Sequence, residues 1–167
     1  FHENPQVLHV GTCPNRSYYI PCAPGETDRE GLSSRVVSLN GVWGFRYEPS
    51  FAKAFPEAEE GQLLIHLEDF GEIPVPSCWQ TQGFDSHQYT NIRYPFPFDP
   101  PYVPEDNPCG LYTRTFSLTA EQMEMGCYLN FEGVDSCFYL WVNGEFVGYS
   151  QVSHSTSEFD LSGLVRE

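Results

Sequence analysis

Carboxylates are the most abundant reactive groups in this sequence, with 23 Asp and Glu residues against 8 Lys and Arg residues. Acid–base catalysis between carboxylates needs two of them close together in environments that separate their pKa values. Asp99, Glu105 and Asp106 flank a stretch rich in proline and aromatic residues. No motif frames these residues, and their spacing does not show that any two meet. The sequence therefore favours a solvated acidic face over a catalytic pair.

The cysteines and histidines lack the spacing of a metal or nucleophile site. No Cys-x-x-Cys pair, His-x-x-x-His pair, Gly-x-Ser-x-Gly turn or glycine-rich phosphate loop occurs. An even number of cysteines permits disulfides, but we expect reduced thiols in a cytoplasmic protein. Free cysteines within strands are commonly small buried residues. The cysteines are Cys13, Cys22, Cys78, Cys109, Cys127 and Cys137.

The composition indicates an acidic, folded domain. The chain has 167 residues, of which 40% are hydrophobic and 16% aromatic, so it can build a core. Its formal net charge of −15 repels phosphate backbones and anionic lipids, so neither nucleic acid nor a membrane is an expected partner. No run approaches the roughly 20 apolar residues of a membrane span. The first residues do not resemble a signal peptide.

Two regions are predicted along the chain. Residues 1–35 are rich in Pro, Gly, Asn and Ser without periodicity, which predicts an extended N-terminal arm. A β domain is predicted over 36–167. We expect it to be truncated at its C-terminal end, because no strand pattern closes the sheet after Leu161.

The first half of the β domain carries local signals. Asn40-Gly41 predicts a tight turn and Val42–Tyr47 a strand. A short helix is expected around Ala52–Ala58, interrupted by a proline. Ile73–Pro76 must be extended because residues before proline avoid the helical region. The segment from Tyr89 to Pro108, here called the aromatic–proline segment, predicts a rigid extended surface stretch whose rings dock on something, by default the edge of this domain's own core.

The last third of the chain has the alternation of β structure. Leu111–Leu118 alternates, with Tyr112 on the opposite face from Thr113. Two apolar runs flank Asn143-Gly144, which is the strongest short-range signal of a hairpin. Helical periodicity is confined to Thr119–Met125. Many short strands separated by turns predict an all-β fold, an antiparallel jelly roll or β-sandwich.

Several runs between Ser38 and Leu161 carry a family resemblance. They are Ser38–Phe45 (similar to SLNG-W-F), Val75–Gln80 (VPSNWQ, with Cys78 in place of Asn), Tyr89–Pro95 (YTNVTYP), Pro100–Pro108 (NPPFVPTENP), Phe131–Gln151 (F-GV-S-F-LW-NG-WVGY-Q) and Ser157–Leu161 (SEFDLS). In order and content these runs resemble the N-terminal domain of family 2 glycoside hydrolases of the β-galactosidase kind.

The resemblance implies a jelly-roll domain of the sugar-binding type, followed by further β domains and a catalytic TIM barrel. It places both catalytic glutamates and the magnesium ligands in the barrel. A sodium-binding aspartate is implied further downstream, so this chain is expected to contain no catalytic or metal-binding residue. In that family one loop of the N-terminal domain reaches the active site. The asparagine of its YTN motif contacts the galactose hydroxyls, and Asn91 matches that position.

The residue type suits this role, since an amide offers two donors and an acceptor to a sugar diol. The alternative is an asparagine that caps a turn by bonding its own backbone. The tryptophans also have two readings, because an exposed indole can stack on a sugar ring. Trp141 lies in mid-strand and is expected in the core, whereas Trp79, which follows a Pro-Ser-Cys turn, is the least constrained of Trp43, Trp79 and Trp141.

Three functions remain open from the sequence. The first is a non-catalytic domain of a retaining β-galactosidase that hydrolyses terminal β-D-galactosides such as lactose, inactive alone. The second is a stand-alone carbohydrate-binding module, and the third a structural or oligomerisation domain acting through its arm. The first implies the remaining domains of the same polypeptide as partners, a homo-oligomer and a β-galactoside substrate. A β-glucuronidase or β-mannosidase parent is disfavoured by the matched runs.

Overall fold

The computed structural model describes residues 1–27, 31, 33–54 and 67–165. Short antiparallel strands dominate, and the predicted all-β, antiparallel fold class is confirmed. The strands are β1 (His9–Val10), β2 (Gly41–Glu48), β3 (Gly71–Val75), β4 (Cys109–Thr113), β5 (Tyr128–Phe131), β6 (Cys137–Val142), β7 (Glu145–Gln151) and β8 (Ser157–Asp160). The helices are α1 (Phe51–Ala54) and α2 (Ala120–Glu124), and 3-10 turns lie at Leu67–Asp69 and Trp79–Gln82.

The chain divides into two compact units, while the division predicted at residue 35 stays a prediction. The first unit contains Phe1–Gln6 and Asn40–Thr115, and the second contains Val7–Leu39 and Phe116–Glu167. The first unit holds one sheet in the order β3-β2-β4. The second holds a sheet in the order β1-β7-β6 and a pair of strands, β5-β8.

In the first unit, β2 lies between two antiparallel neighbours. The strand predicted at Val42–Tyr47 is confirmed and runs one residue further at each end. The prediction of a tight turn at Asn40-Gly41 is wrong: β2 begins at Gly41, which pairs with Val75. The dipeptide makes no hairpin because both partners of β2 come later in the chain. The extended stretch predicted around Pro74 forms β3, an edge strand where proline is tolerated.

Strand β4 is shorter than its sequence pattern predicted. It spans Cys109–Thr113 and does not reach Leu118. After Thr113, the guanidinium of Arg114 donates a hydrogen bond to the backbone carbonyl of Val42, where a longer β4 would continue alongside β2. Along β4, Leu111 is buried whereas its neighbour Tyr112 is partly exposed.

The helix expected around Ala52–Ala58 is present as α1 up to Ala54, and the rest of that prediction lies outside the described residues. The helical stretch at Thr119–Met125 is confirmed as α2. A capping box starts it: the Thr119 side chain accepts a hydrogen bond from the Gln122 backbone, and the Gln122 side chain accepts one from the Thr119 backbone.

In the second unit, β6 and β7 form the predicted hairpin. Asn143 and Gly144 both have positive φ, 52° and 81°, as a type I′ turn requires. Val142 pairs with Glu145, and a register irregularity follows at Leu140/Trp141. Trp141 is half-buried against Tyr139 and Phe146, not enclosed in the core as predicted. The reason is that β6 is an edge strand of its sheet.

The region predicted as an arm without regular structure contributes β1, which pairs antiparallel with β7. Close approach of the two backbones requires glycine. A Cβ atom on Gly11 would collide with the Val147 carbonyl, and one on Gly148 would collide with the Val10 carbonyl and lie 2.8 Å from Phe159. In the sequence, these two glycines could have indicated that backbones approach closely here, but not which segments meet.

Side chains join the same region to the rest of the second unit. The Arg16 guanidinium binds both carboxylate oxygens of Glu158 and lies 4.3 Å over the ring centre of Tyr19. Nδ1 of His9 lies 2.8 Å from the buried Ser150 hydroxyl, which lies 2.8 Å from that of Ser157. These contacts hold residues 7–20 against β7 and β8.

The core of the second unit is aromatic. Phe131, Phe138 and Phe159 pack in tilted and edge-to-face pairs at 4.8–6.2 Å, and Phe159 and Tyr149 are fully buried. Leu129 and Phe131 share the inner face of β5, alternating with the exposed Tyr128 and Asn130. All six cysteines are free thiols, and burial raises the pKa of both Cys127 and Cys137, as small buried residues would show.

Replacing Gly148 by Ala should destabilise the second unit. The added methyl group would meet the Val10 carbonyl and the Phe159 ring, so β1 or the core must shift. We expect a loss of about 1–3 kcal/mol in the free energy of unfolding, measured by urea titration. Gly163→Ala is the control because a Cβ there meets open space. An unchanged midpoint in Gly148→Ala would contradict the β1–β7 contact.

Stability should fall at alkaline pH partly through Tyr149. Burial raises the pKa of this phenol, and the neighbouring Cys137 raises it further. The folded state therefore keeps the phenol protonated, so its contribution is complete below about pH 10, the unfolded value, and is lost as the pH rises above it. Tyr149→Phe should flatten the loss of unfolding free energy between about pH 10 and pH 12. The exposed Tyr128→Phe serves as the control, and equal slopes in both variants would contradict the argument.

Candidate functional site

Five aromatic side chains, here called the aromatic cluster, pack on one face of β2. The cluster consists of Phe45, Tyr47, Trp79, Phe84 and Tyr112. Phe45 is 1% exposed and lies at its centre, 4.8 Å from the ring of Phe84 and 4.8 Å from that of Tyr112. Trp79 lies 6.3 Å from Phe45 and 5.9 Å edge-to-face from Tyr47. The cluster thus fixes the 79–84 turn to the sheet.

The turn has local reasons to form. The Thr81 hydroxyl donates to the Cys78 carbonyl at 2.7 Å, and the Phe84 N–H donates to the Trp79 carbonyl at 3.1 Å. Gly83 ends the 3-10 turn with φ 90°, a left-handed conformation in which glycine has no Cβ penalty. Asp85 follows with φ 60°, which Asp tolerates better than most residues. The chain then leaves the sheet.

Trp79 also contacts β4 through a gap left by glycine. A Cβ atom on Gly110 would lie 2.6 and 2.7 Å from two ring carbons of Trp79 and 2.8 Å from a ring carbon of Phe45. Such distances essentially never occur, so this position needs a residue without a side chain. The Trp79 ring therefore lies directly on the backbone of β4. Its Nε1 is buried and has no hydrogen-bond partner among the described residues.

Asn91 lies in a turn of the aromatic–proline segment and is exposed. Within the part of the chain that the structure describes, its amide makes no hydrogen bond. The capping role that the sequence left open is therefore not observed. The amide is available to a ligand, with two donors and one acceptor.

The aromatic–proline segment has no helix or strand, as predicted. The expectation that its rings dock on this domain's own core edge is wrong for most of them. Proline interrupts the segment so often that it cannot pair with a sheet or fold back as a helix. The large exposed apolar residues are Tyr89 (72%), Ile92 (81%), Tyr94 (72%), Phe98 (97%) and Tyr102 (64%).

A few hydrogen bonds anchor the end of the segment. The Tyr102 N–H donates to the Asp99 carbonyl at 3.0 Å, and the Val103 N–H donates to the Glu3 carboxylate at 3.2 Å. The Asn107 carbonyl accepts from the Phe51 N–H at 2.8 Å. The segment is therefore fixed near its C-terminal end, immediately before β4.

The electrostatics of the site come from Tyr47. Burial raises its pKa, and the carboxylates of Asp85 and Asp106 raise it further. Asp85 lies just before the aromatic–proline segment and Asp106 lies near its C-terminal end. Both ends of the segment are therefore within electrostatic range of the Tyr47 phenol. The pKa shift has no visible catalytic use, since the phenol belongs to a packed cluster.

The structure does not bring the sequence-selected acids into an enclosed pair. Asp99, Glu105 and Asp106 are all exposed. Among residues 1–27, 31, 33–54 and 67–165, no cluster of three or more His, Cys, Asp or Glu side chains could hold a metal ion. Over the same described residues, no helix is long and apolar enough to cross a membrane.

The tryptophans do not form an open stacking platform. Trp43, Trp79 and Trp141 are each half-buried. The packing of Trp79 against β4 was not predicted, because the signal is a glycine 31 positions away in the chain. Asn91 is an exposed amide without a hydrogen bond among the described residues, a property that it shares with Gln88.

Comparison with known proteins places the chain in a family. Residues 36–167 match the family model described as "Glycosyl hydrolases family 2, sugar binding domain". The Beta-galactosidase of Staphylococcus xylosus is 44% identical over 171 residues, covering 100% of this chain and 16% of the relative. That of Actinobacillus pleuropneumoniae is 48% identical over 169 residues, covering 99% of this chain and 16% of the relative.

A third relative, the Beta-galactosidase of Pectobacterium atrosepticum, is 50% identical over 132 residues, covering 78% of this chain and 12% of the relative. The chain thus spans about a sixth of the length of the first two relatives. The family resemblance seen in the sequence is confirmed, and the chain belongs to glycosyl hydrolase family 2, with residues 36–167 forming its sugar-binding domain.

Proposed function

We propose that this chain is the non-catalytic N-terminal domain of a retaining β-galactosidase that hydrolyses terminal β-D-galactosides such as lactose. The observation that carries the proposal is the match of nearly the whole chain to proteins named Beta-galactosidase, over about a sixth of their length. The exposed aromatic–proline segment supports it, because contiguous exposed apolar residues commonly mark an interaction site. In this proposal the segment is covered by the remaining domains of the same polypeptide.

Asn91 is the proposed substrate contact. Its free, exposed amide would donate to and accept from galactose hydroxyls in an active site completed by a catalytic barrel. The surrounding prolines restrict the backbone, which favours a fixed position for the amide. The chain would supply orientation, whereas the acid and nucleophile would come from elsewhere in the polypeptide.

Further parts of the proposal concern the parent enzyme. Its magnesium and sodium ions would bind to residues outside this chain. Its partners would be its substrate and further copies of itself in a homo-oligomer, in the cytoplasm, where free thiols persist. The strong negative charge supports the expectation that neither nucleic acid nor a membrane is a partner.

Asn91→Ala in the full-length enzyme should lower kcat/KM for lactose by about 10- to 100-fold. The physical reason is the loss of one or two hydrogen bonds to the sugar, each contributing about 0.5–1.5 kcal/mol. Steady-state kinetics with purified enzyme measures the effect. Gln88→Ala is a matched control, since Gln88 is an exposed amide three residues earlier without a described partner.

Two results would contradict the proposal in different ways. Full-length protein that cleaves no β-galactoside would refute the activity. Active enzyme in which Asn91→Ala behaves like Gln88→Ala would refute only the role of Asn91. A galactose titration of the 167-residue chain, followed by backbone amide NMR, distinguishes this function from that of a stand-alone carbohydrate-binding module. Saturable shifts of the amide peaks would support the stand-alone module instead.

A further inference from the structure

We infer that Trp79 is a positioning residue for Asn91. Its ring packs in the aromatic cluster and its backbone carbonyl holds the turn at one end of the loop that carries the amide, while the same ring lies against the strand at the other end, so Trp79 fixes where the amide lies. This inference rests on the proposed function. It concerns a residue that touches neither substrate nor reacting atoms. The loop in question runs from Asp85 to Pro108, between the 79–84 turn and β4.

The first end of the loop is held by the turn that Trp79 begins. The Trp79 carbonyl accepts the Phe84 N–H at 3.1 Å. The Phe84 ring then packs at 4.8 Å against Phe45, in the same aromatic cluster as the indole of Trp79. Loop residues begin immediately afterwards, at Asp85. A displacement of Trp79 would therefore move the point from which the loop departs.

The second end of the loop is held by β4, which starts one residue after Pro108. The Trp79 ring lies against the backbone at Gly110, where even a methyl group would come within 2.6 Å of it. Trp79 thus contacts the exit of the loop through its backbone carbonyl and the re-entry of the loop through its ring. Because protein interiors are packed close to their limit, this contact has little freedom to adjust.

An independent observation places the two ends near each other. Asp85 and Asp106 both act electrostatically on Tyr47, whose ring contacts Trp79 at 5.9 Å. Between these acids the loop has few hydrogen bonds of its own and many prolines. Because the loop forms no strand hydrogen bonds that would fix its path, the positions of its two ends determine where its proline-stiffened backbone lies.

The chain offers well-matched variants. Trp79→Ala removes the ring, whereas Trp79→Phe keeps an aromatic ring and loses an Nε1–H that has no described partner. Gly110→Ala keeps the Trp79 side chain but inserts a methyl group beneath it, so the ring must shift. Gly71→Ala is the control, because a Cβ on this glycine of β3 would make only an ordinary contact, 3.8 Å from the Phe45 carbonyl.

The test is a double-mutant cycle in the full-length enzyme with lactose as substrate. We expect Trp79→Ala and Gly110→Ala to lower kcat/KM by about as much as Asn91→Ala, and Trp79→Phe and Gly71→Ala to change it less than about threefold. In an Asn91→Ala background, Trp79→Ala should cost less than about a further threefold, since it acts through the missing amide. Hydrogen exchange of residues 85–108 should increase in Trp79→Ala.

Each other outcome overturns the inference. Losses that multiply would show that Trp79 acts independently of Asn91, and unchanged exchange of residues 85–108 would show that it does not fix the loop. If Asn91→Ala has no effect on active enzyme, there is no amide to position, so this inference and the proposed role of Asn91 fail while the proposed activity stands. If wild-type enzyme cleaves no galactoside, the proposed function fails, whereas the exchange measurement still tests the loop. Should Trp79→Ala not fold, Gly110→Ala carries the cycle, with thermal unfolding of each variant as the check.

Discussion

The packing of aromatic rings on one face of β2 is the interaction on which the described part of the first unit depends. Each such ring buries roughly 150–250 Å² when fully enclosed, and Phe45 is almost fully enclosed. In the described part of the chain, the sheet beneath them has three strands. Its stability therefore depends on residues outside the strands, Trp79 and Phe84, which cover it. The same packing that stabilises the sheet also determines where the chain leaves it and where it returns.

Backbone contact through glycine is used in both units. Gly110 lets an indole ring lie on β4, and Gly148 lets β1 lie beside β7. In each case a segment without much regular structure is tied to a sheet at a point where no side chain fits. Glycine loses more conformational freedom on folding than other residues, so these contacts must outweigh that cost. The Arg16–Glu158 ion pair adds a second attachment for the segment that contains β1.

Local signals made part of this fold predictable. The β6–β7 hairpin follows from Asn143-Gly144, since positive φ at both positions selects the type I′ turn. Strands β2 and β3 and helix α2 follow from alternation, proline and periodicity in the same way. Strand β1 was missed because two residues carry no period, and β4 was overextended because alternation continues after Thr113 while pairing does not. The prediction of a turn at Asn40-Gly41 was wrong because the dipeptide alone does not reveal whether a strand precedes it.

Only those parts of the site that depend on neighbouring residues in the sequence could be predicted. The type and neighbours of Asn91 pointed to it, but its exposure and free amide depend on contacts that the loop does not make. Conversely, the packing of Trp79 on Gly110 joins positions far apart in sequence, and no periodicity encodes it. A loop stiffened by proline can hold a recognition group in place only if its ends are fixed, because any displacement of the ends also displaces the group. In this unit the ends converge on one aromatic cluster, so stabilising the sheet and orienting the amide are consequences of the same contacts.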